Sequence, residues 1–549
     1  MIHFREGVPV PNAGEDTVSV KWPKLDEPDW QLVLRILNAN RARGQAGLGC
    51  ERLPEAMQHL QALWQDRANP LWQEVLEALE ICTGHSMGML GVAMGLLNLI
   101  SAEDLQRAAN CALTNAVKSQ FVNLPELPGK VRFFAHGFGS RLATRALQRF
   151  EHHRRQTWKL HRRKNDLILG YAAGNVPGTA LLLMLLGLAS AAGREGPTPA
   201  IVIKNSRREP LFAPLVLSAI ESVDPTLVNS TMVTIWDYSD ARLQEFLVGQ
   251  ADLVIAAASD ETIASIDQVI GRVAGKSSKI RFHRHGHKVS FSTIGHECLA
   301  QQHATLDGAT PLVEAVALLA SLDVALWNQQ GCLSSRVHFV ETGTGDAYYS
   351  PADYGRAVVG GLRVLDNSMP KGVPRKRQIH NLFDKYQTIA ASHPVEVLSS
   401  YDDDFLVVLD RRPHPNGQFT ELVNDSQGRS VAIVPVRDIM EVPQHYLSQI
   451  RREHLQSMSV AVGDPAAAGL DSRLMRYAKA LGAAGVTSIR TVGRGAFPQL
   501  AYSWDGLIPL DLVAEREEGH FTALEFGEPW AQIHETYKLI SEAVGVVQG

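Results

Sequence analysis

The chain reads as an α/β protein built on parallel sheets, and three observations carry that reading. Short apolar runs rich in Val and Ile recur from Leu167 onward, as in Ala200-Ile201-Val202-Ile203-Lys204 and Val431-Ala432-Ile433-Val434-Pro435. Helical segments lie between them, the mark of crossover connections in a sheet covered on both faces. The 549 residues are 45% hydrophobic and 20% charged, enough for two or three domains with large cores.

Taken in order, residues 1–130 read as helices with loops, because apolar residues recur at spacings of three and four, as in Trp30, Leu34, Leu37 and Met57, Leu60, Leu63, Trp64. The basic stretch His152 to Lys164 reads as a solvated helix face. Its other reading is a contact with the phosphates of coenzyme A or of a carrier protein's pantetheine arm. Asp166 to Gly170 then leads into the Gly174-Asn175-Val176-Pro177 turn and a buried apolar helix, Thr179 to Ala192. Strands at 200–204, 231–236, 251–256 and 279–283 follow, with helices at 210–222, 240–248 and 261–273 between them. This is a Rossmann-type series, whose ligands bind at the carboxyl ends of strands. A second αβ series runs from Thr310 to about Val492, with a helix at 311–326 and strands at 337–340, 405–409, 431–435 and 459–462.

Composition excludes several classes. The net charge of −5 gives no field to recruit nucleic acid or an acidic membrane. Cys50, Cys82, Cys111, Cys298 and Cys332 are scattered and form no CxxC pair, which argues against a disulfide framework or structural zinc and for a reducing cytoplasm. The N-terminus lacks a signal pattern. The run Thr179 to Ala192 is too short to span a bilayer, so no stable membrane insertion is expected.

Cys332 carries the chemistry. An apolar helix ends in Trp327-Asn328-Gln329-Gln330-Gly331, then the thiol, then Leu333-Ser334-Ser335. A sulfur at a helix-to-loop junction has backbone amides nearby that lower its pKa and receive an oxyanion. The other local reading is a buried structural cysteine.

The order of motifs resembles the aldehyde dehydrogenase superfamily. Gly174-Asn175-Val176-Pro177 before a long apolar helix is similar to its Asn-aromatic-Pro turn. Ile203-Lys204-Asn205-Ser206-Arg207-Arg208-Glu209-Pro210 is similar to its strand-end lysine segment. His285-Gly286-His287-Lys288 stands where that superfamily has Glu-x-Gly-Gly-Lys, and Asn328 to Cys332 resembles its nucleophile segment. These particular versions resemble the long-chain acyl-CoA reductases of bacterial bioluminescence, the LuxC family. The resemblance is weaker in the N-terminus and low in motif content after Val340.

The resemblance implies an aldehyde-dehydrogenase-like fold. Residues 1–130 would form a helical N-terminal region, 131–305 an NADP-binding Rossmann-type domain, 306–492 a catalytic domain and 493–549 a C-terminal segment. It implies Cys332 as nucleophile and Asn175 as oxyanion donor beside the Cys332 amide. Lys204 would meet the adenosine ribose. Arg207 stands where NAD-preferring relatives often place a glutamate, so Arg207 with Ser206 and Arg208 favours NADPH. Ser259, opening a helix after a strand, suits a pyrophosphate better than its neighbour Asp260.

Two departures matter. Register puts Arg284 where hydrolytic relatives carry the water-activating glutamate, so a thioacyl enzyme here awaits a hydride or a thiol. The Glu-x-Phe-Gly-Pro motif that grips the nicotinamide ribose is not recognisable, and Gln427-Gly428-Arg429-Ser430 stands as its replacement with no residue assigned. His283, His285 and His287 alternate on one strand face. No carboxylate or cysteine completes a ligand set at a recognisable spacing, so they read as active-site floor and polar core, with no metal expected.

The expected activity is NADPH-dependent reduction of a long-chain acyl thioester, acyl-CoA or acyl-carrier protein, to the aldehyde through a Cys332 thioester. The alternatives are an aldehyde dehydrogenase making acid and a non-catalytic scaffold for an acyl-activating synthetase. A homo-oligomer is expected.

Overall fold

The computed structural model describes residues 6–9, 19–22, 24–43, 55, 58–59, 62, 70–95, 122–123, 130–135, 166–189, 199–274, 280–300, 310–342, 348–371, 376–415, 417–463, 472–495, 505–506, 521–526 and 529–543. In chain order its strands are β1 (Glu6–Pro9), β2 (Ser19–Trp22), β3 (Val122–Asn123), β4 (Lys130–Ala135), β5 (Leu167–Tyr171), β6 (Ala200–Lys204), β7 (Thr231–Thr234), β8 (Leu253–Ala257) and β9 (Arg281–His285). Then follow β10 (Val289–Ile294), β11 (Ser335–Glu341), β12 (Val395–Val397), β13 (Leu406–Asp410), β14 (Ser430–Val436), β15 (Leu455–Ala461), β16 (Ser488–Thr491) and β17 (Phe521–Phe526). They divide between two units. One comprises residues 1–115, 141–287 and 508–518, the other 116–140, 288–507 and 519–549.

The first unit is organised by a five-stranded sheet in the order β7-β6-β5-β8-β9, parallel throughout. The strand order reverses between β5 and β8, the place where sheets of this kind open a crevice for a ligand. Every residue of β5 and β8 is buried, which is why these strands read as unbroken apolar runs. Helices Phe212–Val223, Ala241–Gln250 and Asp260–Ala274 make the crossovers. Asp240 caps the second of these through Leu243 N, 3.0 Å away. The N-terminal helix Glu27–Arg43 packs Trp30, Leu34 and Leu37 into the same core as Leu169, Val202 and Val254. Trp30 meets Trp236 edge to face at 5.5 Å. This helix is therefore part of the sheet's core, which corrects the expectation of a separate N-terminal region.

The second unit holds a ten-stranded sheet in the order β12-β13-β14-β11-β10-β15-β16-β17-β4-β3. From β13 to β17 in that order the pairs are parallel, while β12 and the β4-β3 ribbon add antiparallel edges. Two expected boundaries change here. β10 bonds to β11 and β15, so the division falls between His287 and Lys288 rather than at residue 305. β17 pairs with both β16 and β4, so 493–549 is not a separate segment. Helix Leu312–Ala325 runs through the middle of this core. Residues 312–329 are long and apolar enough to cross a membrane, but 94% of them are buried inside the protein. The basic stretch 152–164 lies outside the described residues.

One buried carboxylate ties this helix to the end of β16. Asp323 is fully buried and accepts Gly493 N and Gly495 N, both at 2.9 Å. Asp323→Ala would leave two buried N–H groups without that acceptor, at a cost of ~2–4 kcal/mol. A thermal midpoint lowered by several degrees is the expected result, measured by scanning calorimetry.

Candidate active site

Cys332 follows a backbone conformation that L-residues rarely adopt. Trp327, Asn328 and Gln329 have φ of 57°, 48° and 59°, three consecutive non-glycine residues in the left-handed region. Such residues cost ~1–3 kcal/mol each and persist only where their surroundings hold them. Two side chains do so. Gln329 Nε2 donates to Ser335 O (2.7 Å) and Ser430 O (2.8 Å), and its Oε1 accepts Ser430 N at 3.0 Å. Arg429, itself at φ 67° and fully buried, donates from Nε to Asn328 Oδ1 (3.1 Å), from Nη1 to Asp366 (2.6 Å) and from Nη2 to Met369 O (2.5 Å).

The chain then turns through Gly331 to Ser334 and enters β11. The Cys332 carbonyl accepts Ser290 Oγ of β10 at 2.7 Å, and Ser457 Oγ of β15 donates to Ser290 Oγ at 2.8 Å. Four strands, β10, β11, β14 and β15, thus fix the backbone that carries the thiol. Arg429 is consumed by this clamp, which removes it as a replacement for the nicotinamide-ribose motif.

The thiol's environment departs from the sequence expectation of a lowered pKa. Burial, then the charge of Asp505, push Cys332 up to about 11, against Gln456, its own backbone N–H and Lys288. Gln456 Nε2 donates to Asp505 Oδ1 at 3.2 Å, and Lys288 Nζ lies 3.8 Å from the same oxygen. The free protein therefore keeps Cys332 as a thiol at neutral pH, although the residue retains some open surface. Sequence reasoning missed Gln456 and Asp505, because neither sits in a motif. Cys298 is structural as expected, buried with Sγ donating to Ala461 O at 3.3 Å. Glu297 and Glu341 are both engaged by Arg473, and His296 Nδ1 lies 2.8 Å from Glu341 Oε2.

The remaining expected site residues lie in the first unit, at the carboxyl ends of its strands. Lys204 ends β6, with its ammonium 5.8 Å from the Trp236 ring centroid. Burial, then Arg207, bring it down to about 8. Ser206 Oγ accepts Arg208 N at 3.1 Å and packs so closely on Gly174 that any Cβ there would collide with it. Asn175 follows β5, and its carbonyl lies 3.3 Å from His85 Nε2. Arg207 Nη2 is 3.9 Å from Asp237 Oδ1, and Arg208 is exposed. A cleft of about 270 Å³ opens between helices Ala241–Gln250 and Asp260–Ala274, lined by Tyr238, Ser239, Gln244, Ile266, Val269 and Arg272 among others and by none of Lys204, Ser206, Arg207 or Arg208.

Ser259 Oγ accepts Thr262 N at 3.4 Å and so acts as a weak helix cap. Asp260 turns its carboxylate onto His287 N at 2.7 Å. Arg284 ion-pairs with Asp267 (2.6 Å) and stacks 4.7 Å from the Phe282 ring centroid. His283 is buried, with its ring 5.8 Å from that of His285.

Three outcomes follow from the surroundings of the thiol and its turn. The rate of iodoacetamide alkylation at Cys332, read by mass mapping, should keep rising with pH beyond the range of an ordinary thiol, whose pKa is about 8.5. Asp505→Asn removes a negative charge that favours the thiol form, so the profile should move to lower pH. Gln329→Leu should lower the thermal midpoint by the equivalent of ~2–4 kcal/mol, since it strands Ser430 N and two carbonyls.

A family model described as Acyl-CoA reductase (LuxC) matches residues 142–516. No curated protein sequence matches the chain. Among solved structures, 3,6-anhydro-L-galactose dehydrogenase is similar with a TM-score of 0.55 at 14% identity, over 95% of this chain and 96% of that one. An NAD-dependent benzaldehyde dehydrogenase from Corynebacterium glutamicum gives 0.53 at 12% identity, over 95% and 94%. Succinic semialdehyde dehydrogenase from Streptococcus pyogenes, solved with NADP+ as the cofactor, gives 0.54 at 11%, over 94% and 99%. At these identities the likeness establishes the fold, which is that of the aldehyde dehydrogenase superfamily. With its thiol on a clamped turn in one α/β unit and its strand-end lysine in the other, the chain belongs to the LuxC family of acyl-CoA reductases.

Proposed function

We propose that this protein reduces a long-chain acyl thioester, carried by coenzyme A or a carrier protein, to the aldehyde with NADPH. The observation that carries the reading is the clamped turn, which holds a single partly open thiol with its backbone fixed on four strands. A structural cysteine needs no such device, as buried Cys298 shows.

The first unit's residues fit a phosphorylated dinucleotide. Lys204, Arg207 and Arg208 supply cations and Ser206 a hydroxyl at the carboxyl end of β6, and a cleft of about 270 Å³ between the helices that follow β7 and β8 is walled by Ile266 and Val269. Lys204 would meet the adenosine ribose, Arg207 with Ser206 and Arg208 the 2′-phosphate, and Ser259 the pyrophosphate edge. When bound, the reduced nicotinamide supplies a hydride to the acyl carbon.

Every other part of the reaction falls to the chain. Cys332 loses its proton and its sulfur bonds to the thioester carbonyl carbon. The Cys332 amide, on its fixed backbone, receives the oxyanion, an interaction worth ~3 kcal/mol per good donor. Asn175 is the second donor on the strength of the motif. The carbon–sulfur bond to the carrier breaks and the carrier thiolate takes up the proton. After reduction of the acyl carbon, the bond to Cys332 breaks, the aldehyde leaves and the thiolate is reprotonated. Arg284 supplies no base for water, and its guanidinium is held by Asp267. An acyl-activating synthetase is the class of partner that would provide the thioester.

Acyl-CoA without cofactor should leave one acyl adduct on the intact protein, mapping to Cys332. Cys332→Ala should abolish both adduct and aldehyde while NADPH binding persists, and an adduct on Cys298 would overturn the assignment. Rapid release of free acid from acyl-CoA would favour the oxidising, hydrolytic reading instead. Asn175→Ala should slow adduct formation on the order of a hundredfold. Arg207→Glu should weaken NADPH about ten- to a hundredfold with little change for NADH, measured by fluorescence titration.

A further inference from the structure

Two cations and one anion meet at the carboxyl ends of β6 and β7. Lys204 closes β6 and Arg207 follows it, while Trp236 and Asp237 follow β7. Asp237 is an acid that the Arg207 reading leaves unused. Ser239 N and Ser239 Oγ both donate to its Oδ1 at 2.9 Å. These two local hydrogen bonds orient the carboxylate. Those hydrogen bonds, with Arg207 and Lys204, hold it below the usual carboxylate range. Its side chain is 63% exposed, and no hydrogen bond to Oδ2 is seen among the described residues. Tyr238 and Ser239, the next two residues, line the cleft of about 270 Å³. The carboxylate itself does not line that cleft; it stands one residue before it, 3.9 Å from Arg207 Nη2.

We propose that Asp237 is a cofactor-specificity residue that opposes Arg207, accepting a hydrogen bond from the 2′-hydroxyl of NADH and repelling the 2′-phosphate of NADPH. The inference rests on the reading that a nicotinamide dinucleotide binds at the carboxyl ends of these strands. A 2′-phosphate brings close to two negative charges, which Arg207, Arg208 and Lys204 attract and a carboxylate resists. A 2′-hydroxyl brings a donor, which a carboxylate accepts and an arginine cannot. The Arg207–Asp237 pair is long and half-exposed, so it is weak and Arg207 exchanges between the carboxylate and a phosphate at little cost. The chain accepts both dinucleotides, with a preference for NADPH that Asp237 keeps moderate.

The test is fluorescence titration of NADPH and of NADH into the full chain, at one fixed ionic strength, for wild type and Asp237→Asn. Asparagine keeps an oxygen for Ser239 and removes the charge. NADPH should bind several-fold tighter and NADH several-fold weaker, so that the ratio of dissociation constants moves about tenfold or more toward NADPH. Asp237→Ser, which also removes the carboxylate, should move the ratio the same way and covers the case in which the asparagine variant does not fold. A ratio unchanged within about twofold in a folded variant, or one moving toward NADH, overturns the role of Asp237. The NADPH reading fails separately, if wild type binds NADH the more tightly and Arg207→Glu leaves NADPH binding unchanged. Binding of neither dinucleotide by wild type would sink both.

Discussion

The second unit of this protein depends on keeping Trp327, Asn328 and Gln329 in left-handed backbone. Unsupported, those three residues would relax at a gain of several kcal/mol, since each carries strain on the order of 1–3 kcal/mol. The clamp that prevents this is built from groups that have no alternative. Gln329 sits under β11 and β14 with its amide matched to two carbonyls and one N–H, all buried. Arg429 is buried with its charge answered by Asp366, so releasing Asn328 would leave the buried Arg429 Nε without that acceptor. The strained turn and the buried arginine thus stabilise one another. Cys332 inherits its position from them.

The same arrangement explains why the thiol is quiet at rest. Fixing the sulfur inside the second unit removes water from it, and Asp505 adds a charge of the wrong sign for a thiolate. Lys288 offsets part of that charge, and Gln456 links the carboxylate to the cysteine's surroundings. A protonated cysteine is slower to oxidise or alkylate than a thiolate. If Cys332 is the nucleophile of the proposed reaction, that restraint protects it until substrate arrives.

How much of this was legible in the sequence differs by level. The five strands of the first unit fall within a few residues of expectation, because buried parallel strands leave unbroken apolar runs such as Ala200–Lys204. The helix into Cys332 was legible for the same reason. The unit boundary was not, since β10 belongs to its sheet through pairing with β11 and β15, partners about 40 and 165 residues away that no local pattern announces. Gln329 was read as a lead-in to the cysteine, but its function as a clasp depends on Ser430, far along the chain. Asp505 and Gln456 stand next to Cys332 only through the fold. Arg207 was legible from its place after a strand-end lysine, whereas Asp237 gains meaning only once β7 lies beside β6.

The raised pKa of Cys332 bears on the direction of the proposed reaction. A tetrahedral adduct formed from a thioester carries two sulfurs, and it expels the one whose thiolate is the more stable. An ordinary thiol titrates at about 8.5, whereas Cys332 is pushed up to about 11. On the proposed reaction, the charge of Asp505 disfavours a thiolate on Cys332 and so biases the adduct toward expelling the carrier sulfur. Once the acyl carbon has been reduced, only one sulfur remains, so the same high pKa no longer selects between leaving groups and acts only as a resistance to aldehyde release. Asp505 contributes to that resistance, and Lys288, Gln456 and the Cys332 amide, which favour the thiolate, relieve it. On the proposed reaction, the balance among these four groups would set how long the reduced adduct persists, with Lys288 immediately before β10 and Gln456 on β15.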